Sequence, residues 1–416
     1  MTKFETFNLK GELLNSLNEM NFIEATEVQE QAIPLALDNT DLVVRSKTGT
    51  GKTGAFLIPI IQKSDPKERI SSLIITPTRE LALQVYKVAE KMGQKSKIRA
   101  TVVYGGASID NQIRNIRKGT NIIIGTPGRL IDLMKRGELD ISKLKFLVLD
   151  EADIMLDLGF IEDIEYIISK TPSKKQSMLF SATVPERVLN LAKRYMKNPQ
   201  SLRIGEGGEM TVKTISHSYA LSSDSSKIAT LLAYINEYNP SKSIIFSETK
   251  RGADYLYDVL AGQGFNVTVM HGDLTQAQRE KSLQAFRQSA QFLIATNVAA
   301  RGLDITDVSD VINFDTPSEP YVYVHRVGRS ARMGNNGSAF TIIERNEMDL
   351  IRKIEHSVKI HMSRIELNQE PYKGLGHSFS SGGRNRRQNS GDRGQNRRFS
   401  NQRRGPRNQS HRFAGY

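Results

Sequence analysis

With 416 residues, 38% hydrophobic and 25% charged, the chain is long enough for two domains and a remainder and reads as a soluble globular protein. It has no cysteine, which excludes disulfides, thiolate metal sites and cysteine nucleophiles, and its seven histidines show no metal-ligand spacing. The formal charge is +13, of which Gly374–Tyr416, with ten Arg, no Lys and one Asp, carries +9, so the body is only mildly basic and a polyanionic partner is implied. Met1 to Leu14 lacks an apolar core behind basic residues, and the apolar run Ala55 to Ile61 is too short to span a bilayer. No secretory signal and no membrane partner are therefore expected, and the expected location is cytoplasmic.

In chain order, two blocks share one rhythm. The first has apolar, β-rich runs at Asp41–Val44, Ser72–Ile75, Thr101–Val103, Ile122–Ile124, Leu147–Leu149 and Met178–Phe180. Between them lie helical patterns, the clearest at Arg79–Met92, with Leu81, Val85, Val88 and Met92 on one stripe. The second block repeats the rhythm at Ser243–Phe246, Val267–Met270, Phe292–Ile294, Val311–Phe314 and Ala339–Ile343. Such alternation predicts an α/β fold of two doubly wound parallel-sheet domains, at residues 1–204 and 215–372. The Gly- and Glu-rich stretch at 205–214 between them reads as a flexible linker. Beyond about Tyr372 the apolar runs stop, and the Gly, Asn, Ser, Gln and Arg that follow cannot bury enough surface to offset chain entropy. Residues 373–416 are predicted to be a disordered tail. Its arginines, with Phe399 and Phe413 interleaved, suit sequence-tolerant binding to single strands.

Two stretches carry chemistry. Ser46-Lys47-Thr48-Gly49-Thr50-Gly51-Lys52-Thr53 follows a strand and precedes a helical pattern, the setting of a phosphate-binding loop. Gly49 and Gly51 let backbone N–H groups approach phosphate, Lys52 suits the β- and γ-phosphates, and the Thr53 hydroxyl suits magnesium. Ser46 stands where the general pattern has glycine. Phe146-Leu147-Val148-Leu149 is an unbroken apolar run ending in Asp150-Glu151-Ala152-Asp153, an acidic end to a buried strand. Given the loop, Asp150 is expected to hold magnesium and Glu151 to orient or deprotonate a water, which together describe ATP hydrolysis.

From about Phe4 to Arg332 the chain resembles the DEAD-box RNA helicases of superfamily two, in particular bacterial members with an Arg-rich tail. The resemblance implies two RecA-like domains that close on ATP, with RNA bound across both. It implies adenine recognition by Gln29 in Thr26-Glu27-Val28-Gln29, with Phe4 stacking upstream. Pro77, Thr78 and Arg79, Gly105-Gly106 (Gly106 the candidate contact), and Thr126, Pro127, Gly128 and Arg129 match RNA-backbone motifs of the first domain. Arg279 and Thr296 match RNA-side elements of the second. Asp304 would contact ATP, and Arg329 and Arg332 would serve as arginine fingers; three apart, they share a helical face. Asp153, Ser181, Thr183 and His325 would couple the nucleotide to RNA.

Four departures from the family pattern stand out. Ala25 replaces a proline, which leaves the glutamine-motif turn less rigidly set. Ser46-Lys47 replaces Ala-Gln. Asn297 replaces an aspartate, which weakens an interdomain contact. Ser330-Ala331 replaces Thr-Gly, which argues against a positive φ at 331. The motifs leave open whether the chain unwinds short duplexes, acts as an ATP-gated RNA clamp, or is directed by DNA, and they name no protein partner.

Overall fold

The alternation is realised twice in the computed structural model, which describes residues 2–46, 49–204, 215–300, 308–330 and 337–375. In the first half, strands β1 (Leu42–Arg45), β2 (Ser72–Ile75), β3 (Ala100–Val103), β4 (Ile122–Gly125), β5 (Phe146–Asp150), β6 (Gln176–Ser181) and β7 (Gln200–Arg203) form one sheet. Their order is β3-β4-β2-β5-β6-β1-β7, and every pairing is parallel. In the second half, β8 (Ile215–Leu221), β9 (Ser243–Ser247), β10 (Val267–Met270), β11 (Phe292–Thr296), β12 (Asp310–Asn313), β13 (Gly337–Ile343) and β14 (Ser363–Arg364) are again all parallel. They run β10-β11-β9-β12-β13-β8-β14. Ranked within its own half, each sheet has the same strand order.

Strand residues alternate between two apolar layers, because successive side chains leave a strand on opposite faces. On β5, Phe146 and Val148 join the layer holding Leu13, Ile33 and Phe56, whereas Leu147 and Leu149 join the layer holding Leu130, Ile164 and Val188. Both faces being covered, the strands read as continuous apolar runs. Each fully buried Val, Leu or Ile contributes roughly 1.5–3 kcal/mol. An aspartate in place of Val148, which is fully buried in the middle of the sheet, would leave a charge unpaired between two helix layers.

The helix predicted at Arg79–Met92 spans Arg79–Gly93, started by Thr78, whose hydroxyl accepts from Leu81 N at 3.3 Å. Its buried stripe is Leu81, Ala82, Val85, Ala89 and Met92; Val88 is only half-buried. Three strands went unpredicted. β7 is a polar edge strand, Gln-Ser-Leu-Arg, with little buried. β8 mixes Ser and His into its apolar pattern, and β14 is two residues long. The expected linker at 205–214 and all of the expected tail beyond residue 375 lie outside the described residues.

Candidate nucleotide and nucleic-acid site

In both sheets the motif residues collect at the carboxyl ends of the strands, where open α/β sheets bind ligands. β1 leads into Ser46, whose N–H continues the sheet by donating to Ser181 O at 2.9 Å. The loop then enters the helix Lys52–Lys63 through Gly51, whose φ of +96° suits glycine. A Cβ there would lie 2.6 Å from Gln29 Nε2 and 2.7 Å from Thr26 Oγ1, so a side chain would push the Gln29 amide aside. Lys52 is buried and donates to Ser46 O at 3.1 Å, and the Ser46 and Thr50 hydroxyls are 2.6 Å apart. The variant serine thus braces the loop from within. Thr53 follows in the first helical turn, half-buried. Lys47 and Thr48 lie outside the described residues.

Gln29 sits in the first turn of the helix Glu27–Leu37 and takes part in a capping box with Thr26. Its Oε1 accepts from Thr26 N at 3.0 Å and its Nε2 donates to Gly51 O at 3.0 Å, which ties this helix to the phosphate loop. Ala25, where the family has proline, uses the N–H that proline lacks: it donates to Thr2 O at 2.8 Å. The turn is therefore tethered to the first residues of the chain. Phe4 is buried in the core, its ring centroid 6.0 Å from that of Phe7 and 6.2 Å from that of Phe22. Phe22, which sequence reasoning missed, lies nearer the loop. A Cβ on Gly54 would be 3.3 Å from its ring and 2.7 Å from Gln29 Nε2. Its position seven residues before Gln29 was the available signal.

At the end of β5, Asp150, Glu151 and Asp153 are all buried. Burial pushes the Asp150 carboxyl up to about 7; Lys52 opposes this and Glu151 adds to it. Glu151 N donates to Asp150 Oδ1 at 3.0 Å, and Glu151 itself takes the left-handed conformation, φ +53°, as the strand turns into the helix Ala152–Asp157. A non-glycine residue held there is strained, and strain of this kind collects at functional sites. Glu151 Oε2 is buried without a hydrogen-bond partner.

Asp153 has a different role in the geometry. Its Oδ2 accepts from both Thr183 N at 2.8 Å and Thr183 Oγ1 at 2.7 Å, and its N–H donates to Ser181 Oγ at 3.1 Å. From the second half, His325 Nε2 comes within 3.5 Å of the same Oδ2, close enough for charge pairing but outside hydrogen-bonding geometry. Burial alone would raise the Asp153 carboxyl, but His325 and Thr183 outweigh it and hold it well below the usual carboxylate range. The structure brings all four predicted coupling residues to one point.

The motif loops beside this point brace one another. Arg79, at the start of its helix, lies against Gly106: a Cβ on Gly106, whose φ is +84°, would be 2.4 Å from the Arg79 guanidinium. Arg129 donates to Ala107 O at 3.2 Å and to Gln112 Oε1 at 3.0 Å, while Gln112 Nε2 donates to Tyr104 O at 3.0 Å. Burial, partly offset by Asp132, lowers the Arg129 pKa. Thr126 and Pro127 open the helix Pro127–Lys135, and a Cβ on Gly128 would meet nothing within 4 Å. Pro77 is buried just before Thr78. In the second half Thr296 ends β11 and is buried. Arg279, expected on RNA, is placed 3.1 Å from Glu80 of the first half.

The helix Pro320–Val327 opens the arginine-finger motif and is held by Arg326. Arg326 donates to Asn297 Oδ1 at 2.7 Å, Asn313 Oδ1 at 3.0 Å and Asp315 O at 2.7 Å, with its guanidinium over the Phe246 ring. The expectation that Asn297 weakens an interdomain contact is thus displaced: its amide oxygen faces a partner within the same half. Buried Arg329 lines a small cavity with Phe246, Asn297, Ala300, Val322 and His325. Ser330 donates to Val308 O at 3.2 Å and Ser309 O at 3.1 Å. Asp304, Arg332 and the expected backbone at Ala331 lie outside the described residues.

The chain matches two family models, the DEAD/DEAH box helicase model over residues 26–191 and the helicase conserved C-terminal domain over residues 226–334, and these ranges span the loop, the acidic strand end and the finger motif. The DEAD-box ATP-dependent RNA helicase CshA of Bacillus subtilis is 43% identical over 365 residues, covering 87% of this chain and 74% of that protein. The chain belongs to the DEAD-box helicase family. Among solved structures, S. cerevisiae Dbp5 bound to RNA and ADP BeF3 is similar to this DEAD-box chain with a TM-score of 0.79 at 33% identity, covering 88% of this chain and 96% of that one. A Dbp5 variant bound to a Gle1 variant and IP6 gives 0.69 at 31% identity, with 90% and 98% covered.

Proposed function

We propose that this chain is an ATP-dependent RNA helicase whose hydrolytic site is completed when its second half docks on its first. One observation carries the reading: His325, on the helix that bears the arginine-finger motif, meets Asp153 at the acidic strand end. The greater similarity to Dbp5 with RNA and ADP BeF3 than to the Gle1-bound form supports a docked arrangement. Residues 1–204 and 215–372 are taken as the two domains, 205–214 as the linker and 373–416 as an RNA-binding tail. A cytoplasmic location fits the absence of cysteine and of any helix, among the described residues, long and apolar enough to cross a membrane.

ATP would be held at its adenine by Gln29 with Phe4 or Phe22 alongside, and at its phosphates by the loop amides and Lys52. Asp304, Arg329 and Arg332 would reach it from the second domain. Magnesium fits the donor set: Asp150 is a buried carboxylate whose ionised form is disfavoured until a cation joins it, and Thr53 offers a hydroxyl. No cluster of three metal-binding side chains exists among the described residues. That agrees with an ion held by one carboxylate, one hydroxyl and substrate phosphates. When bound it would neutralise phosphate charge. Glu151, strained and with one oxygen unpartnered, would take the proton of the attacking water. Arg329 would offset charge that builds on the transferred group.

RNA would bind along the braced loops at Arg79, Gly106 and Thr126–Arg129 and at Thr296. Arg279 would act through Glu80 as a tie between the halves, so RNA that spans both halves favours docking and docking completes the site. Local opening of short duplexes would follow from the strand held in this closed form. Steady-state ATP turnover with and without single-stranded RNA, against a DNA strand of the same sequence, tests the reading. Turnover should rise with RNA and little with DNA. Equal stimulation by both would remove RNA from the assignment, and none by either would remove the coupling.

A further inference from the structure

We propose that the amino-terminal edge of the first sheet carries a second ligand site, built for the phosphates of a small phosphorylated molecule bearing a hydroxyl or amino group. The residues that lead into β1 and β7, together with the first residues of β5 and β6, line a cavity of about 1130 Å³ that opens to solvent. It lies at the end of the sheet opposite the phosphate loop and Asp150. Lys63, Lys145, Lys174, Lys175 and Lys197 line it, and Asp41 is the one acid in its wall.

Asp41 is already committed: its two oxygens accept from Ser177 N at 2.8 Å and Lys197 N at 2.7 Å. Lys145 is paired with Glu68 at the rim. The other four ammonium groups have no carboxylate within 4.0 Å among the described residues. Lys63 donates to Ala36 O and Asn39 Oδ1, and Lys175 to Pro172 O, all neutral acceptors. Burial lowers the pKa of both, with Asp38 and Asp41 opposing it only in part, so an anion arriving here would offset the cost of burying their charge.

A second observation points to the rest of the ligand. Gln176 lines the cavity yet is only 6% exposed. Its Nε2 donates to Ala36 O at 3.0 Å and Thr40 O at 2.8 Å, which fixes the orientation of the amide. Oε1 is left buried with no partner. A buried acceptor in that state costs about 1–3 kcal/mol, and a donor on the ligand would relieve it. Phosphate suits the converging ammonium groups better than a peptide does, because it concentrates up to two charges on one group. Carboxylates along an extended chain are spaced by about 3.3–3.6 Å per residue. RNA is disfavoured because every RNA-side motif lies at the other end of the strands.

Lysine acetylation of the full chain, read by mass spectrometry, tests this with the phosphate loop filled by a non-hydrolysable ATP analogue and magnesium. No lysine follows Lys373, so the footprint does not see the Arg-rich tail. Sodium pyrophosphate and GDP are the probes. Either should slow acetylation of Lys63, Lys174, Lys175 and Lys197 by roughly tenfold and leave Lys10 and Lys87 unchanged. Lys174→Glu with Lys175→Glu should abolish the protection of Lys63 and Lys197 without altering ATP turnover. Gln176→Leu should weaken GDP by roughly tenfold and pyrophosphate little, as expected for one lost hydrogen bond to a buried group. No protection, uniform slowing at all lysines, or protection that survives the double substitution would each overturn the proposal. Protection by a short oligoglutamate or a short single-stranded RNA, but by neither probe, would overturn it in favour of a macromolecular partner.

Discussion

The two halves share one strand order and divide the chemistry between them. In the first half the strand ends carry carboxylates and the loop proposed to bind phosphate, and these groups hold one another: Lys52 on Ser46, Gln29 on Gly51, Thr183 on Asp153. In the second half the corresponding strand ends serve to hold a cation-bearing helix. Asn297 after β11 and Asn313 at the end of β12 both fix Arg326. A sheet topology therefore says where a site will be, whereas the residues at its strand ends decide what the site does. On the proposed function neither half would suffice: one would supply the water-activating carboxylate, the other the charge that stabilises the transition state.

The sharpest way to break this comparison is Arg329→Ala. If the second half contributes only a cation, RNA-stimulated turnover should fall by about 10³-fold or more, the usual worth of an arginine finger. ATP affinity, for which the first half is proposed to supply most of the contacts, should change little. Retained stimulation, measured by steady-state hydrolysis, would show that the first half is self-sufficient. Glu151→Gln probes the other side. It keeps the shape of the strand end but removes the proton acceptor, so turnover should drop by about 10²–10⁴-fold with ATP and RNA binding intact. Single-turnover hydrolysis near the parent rate would transfer the base role to another group.

A smaller effect concerns stability. Asp150 has a folded-state pKa of about 7 against an ordinary value of 3.8, so the folded state holds the proton more tightly. Stability of the nucleotide-free chain should then fall as pH rises from about 4 to about 7, by on the order of 4 kcal/mol at most. Asp150→Asn removes the buried charge, and its melting temperature should exceed the parent's at pH 8 with the gap closing towards pH 4. A gap that does not depend on pH would mean the carboxylate is already compensated in the parent.

Much of this was legible because buried parallel strands leave a simple trace. Val148 and its neighbours are apolar without a break, and the carboxylates that follow mark the strand's exit. The phosphate loop was legible for a similar reason, since a strand, glycines and a helix must occur in that order. Edge strand β7 was not legible, because one strand neighbour and an exposed surface impose almost no pattern on Gln-Ser-Leu-Arg. Nor were the braces. Ser46 for alanine and Ala25 for proline stood out only as departures from the family pattern, and their compensations depend on how the loop folds back on Thr50 or on a backbone N–H that no side-chain pattern encodes. Arg279 was expected on RNA, and its placement on Glu80 was not legible, because the pair joins residues of different halves.

Asn297 offers the finest test of the division between halves. It meets Arg326 with a neutral oxygen at 2.7 Å, and the family aspartate there would make the same bond charge-assisted. Hydrogen bonds to charged groups are worth about 1.5–3 kcal/mol against about 0.5–1.5 for neutral ones. Arg326 is already charged, so the gain from Asn297→Asp should sit near the low end, about 1 kcal/mol, and appear as a higher denaturant midpoint for the second half. Because the bond lies within that half, turnover should shift by less than about threefold, a change worth under ~0.7 kcal/mol of barrier. A large gain in RNA-stimulated turnover with no change in midpoint would put residue 297 back at the boundary between the halves, where the family pattern had placed it.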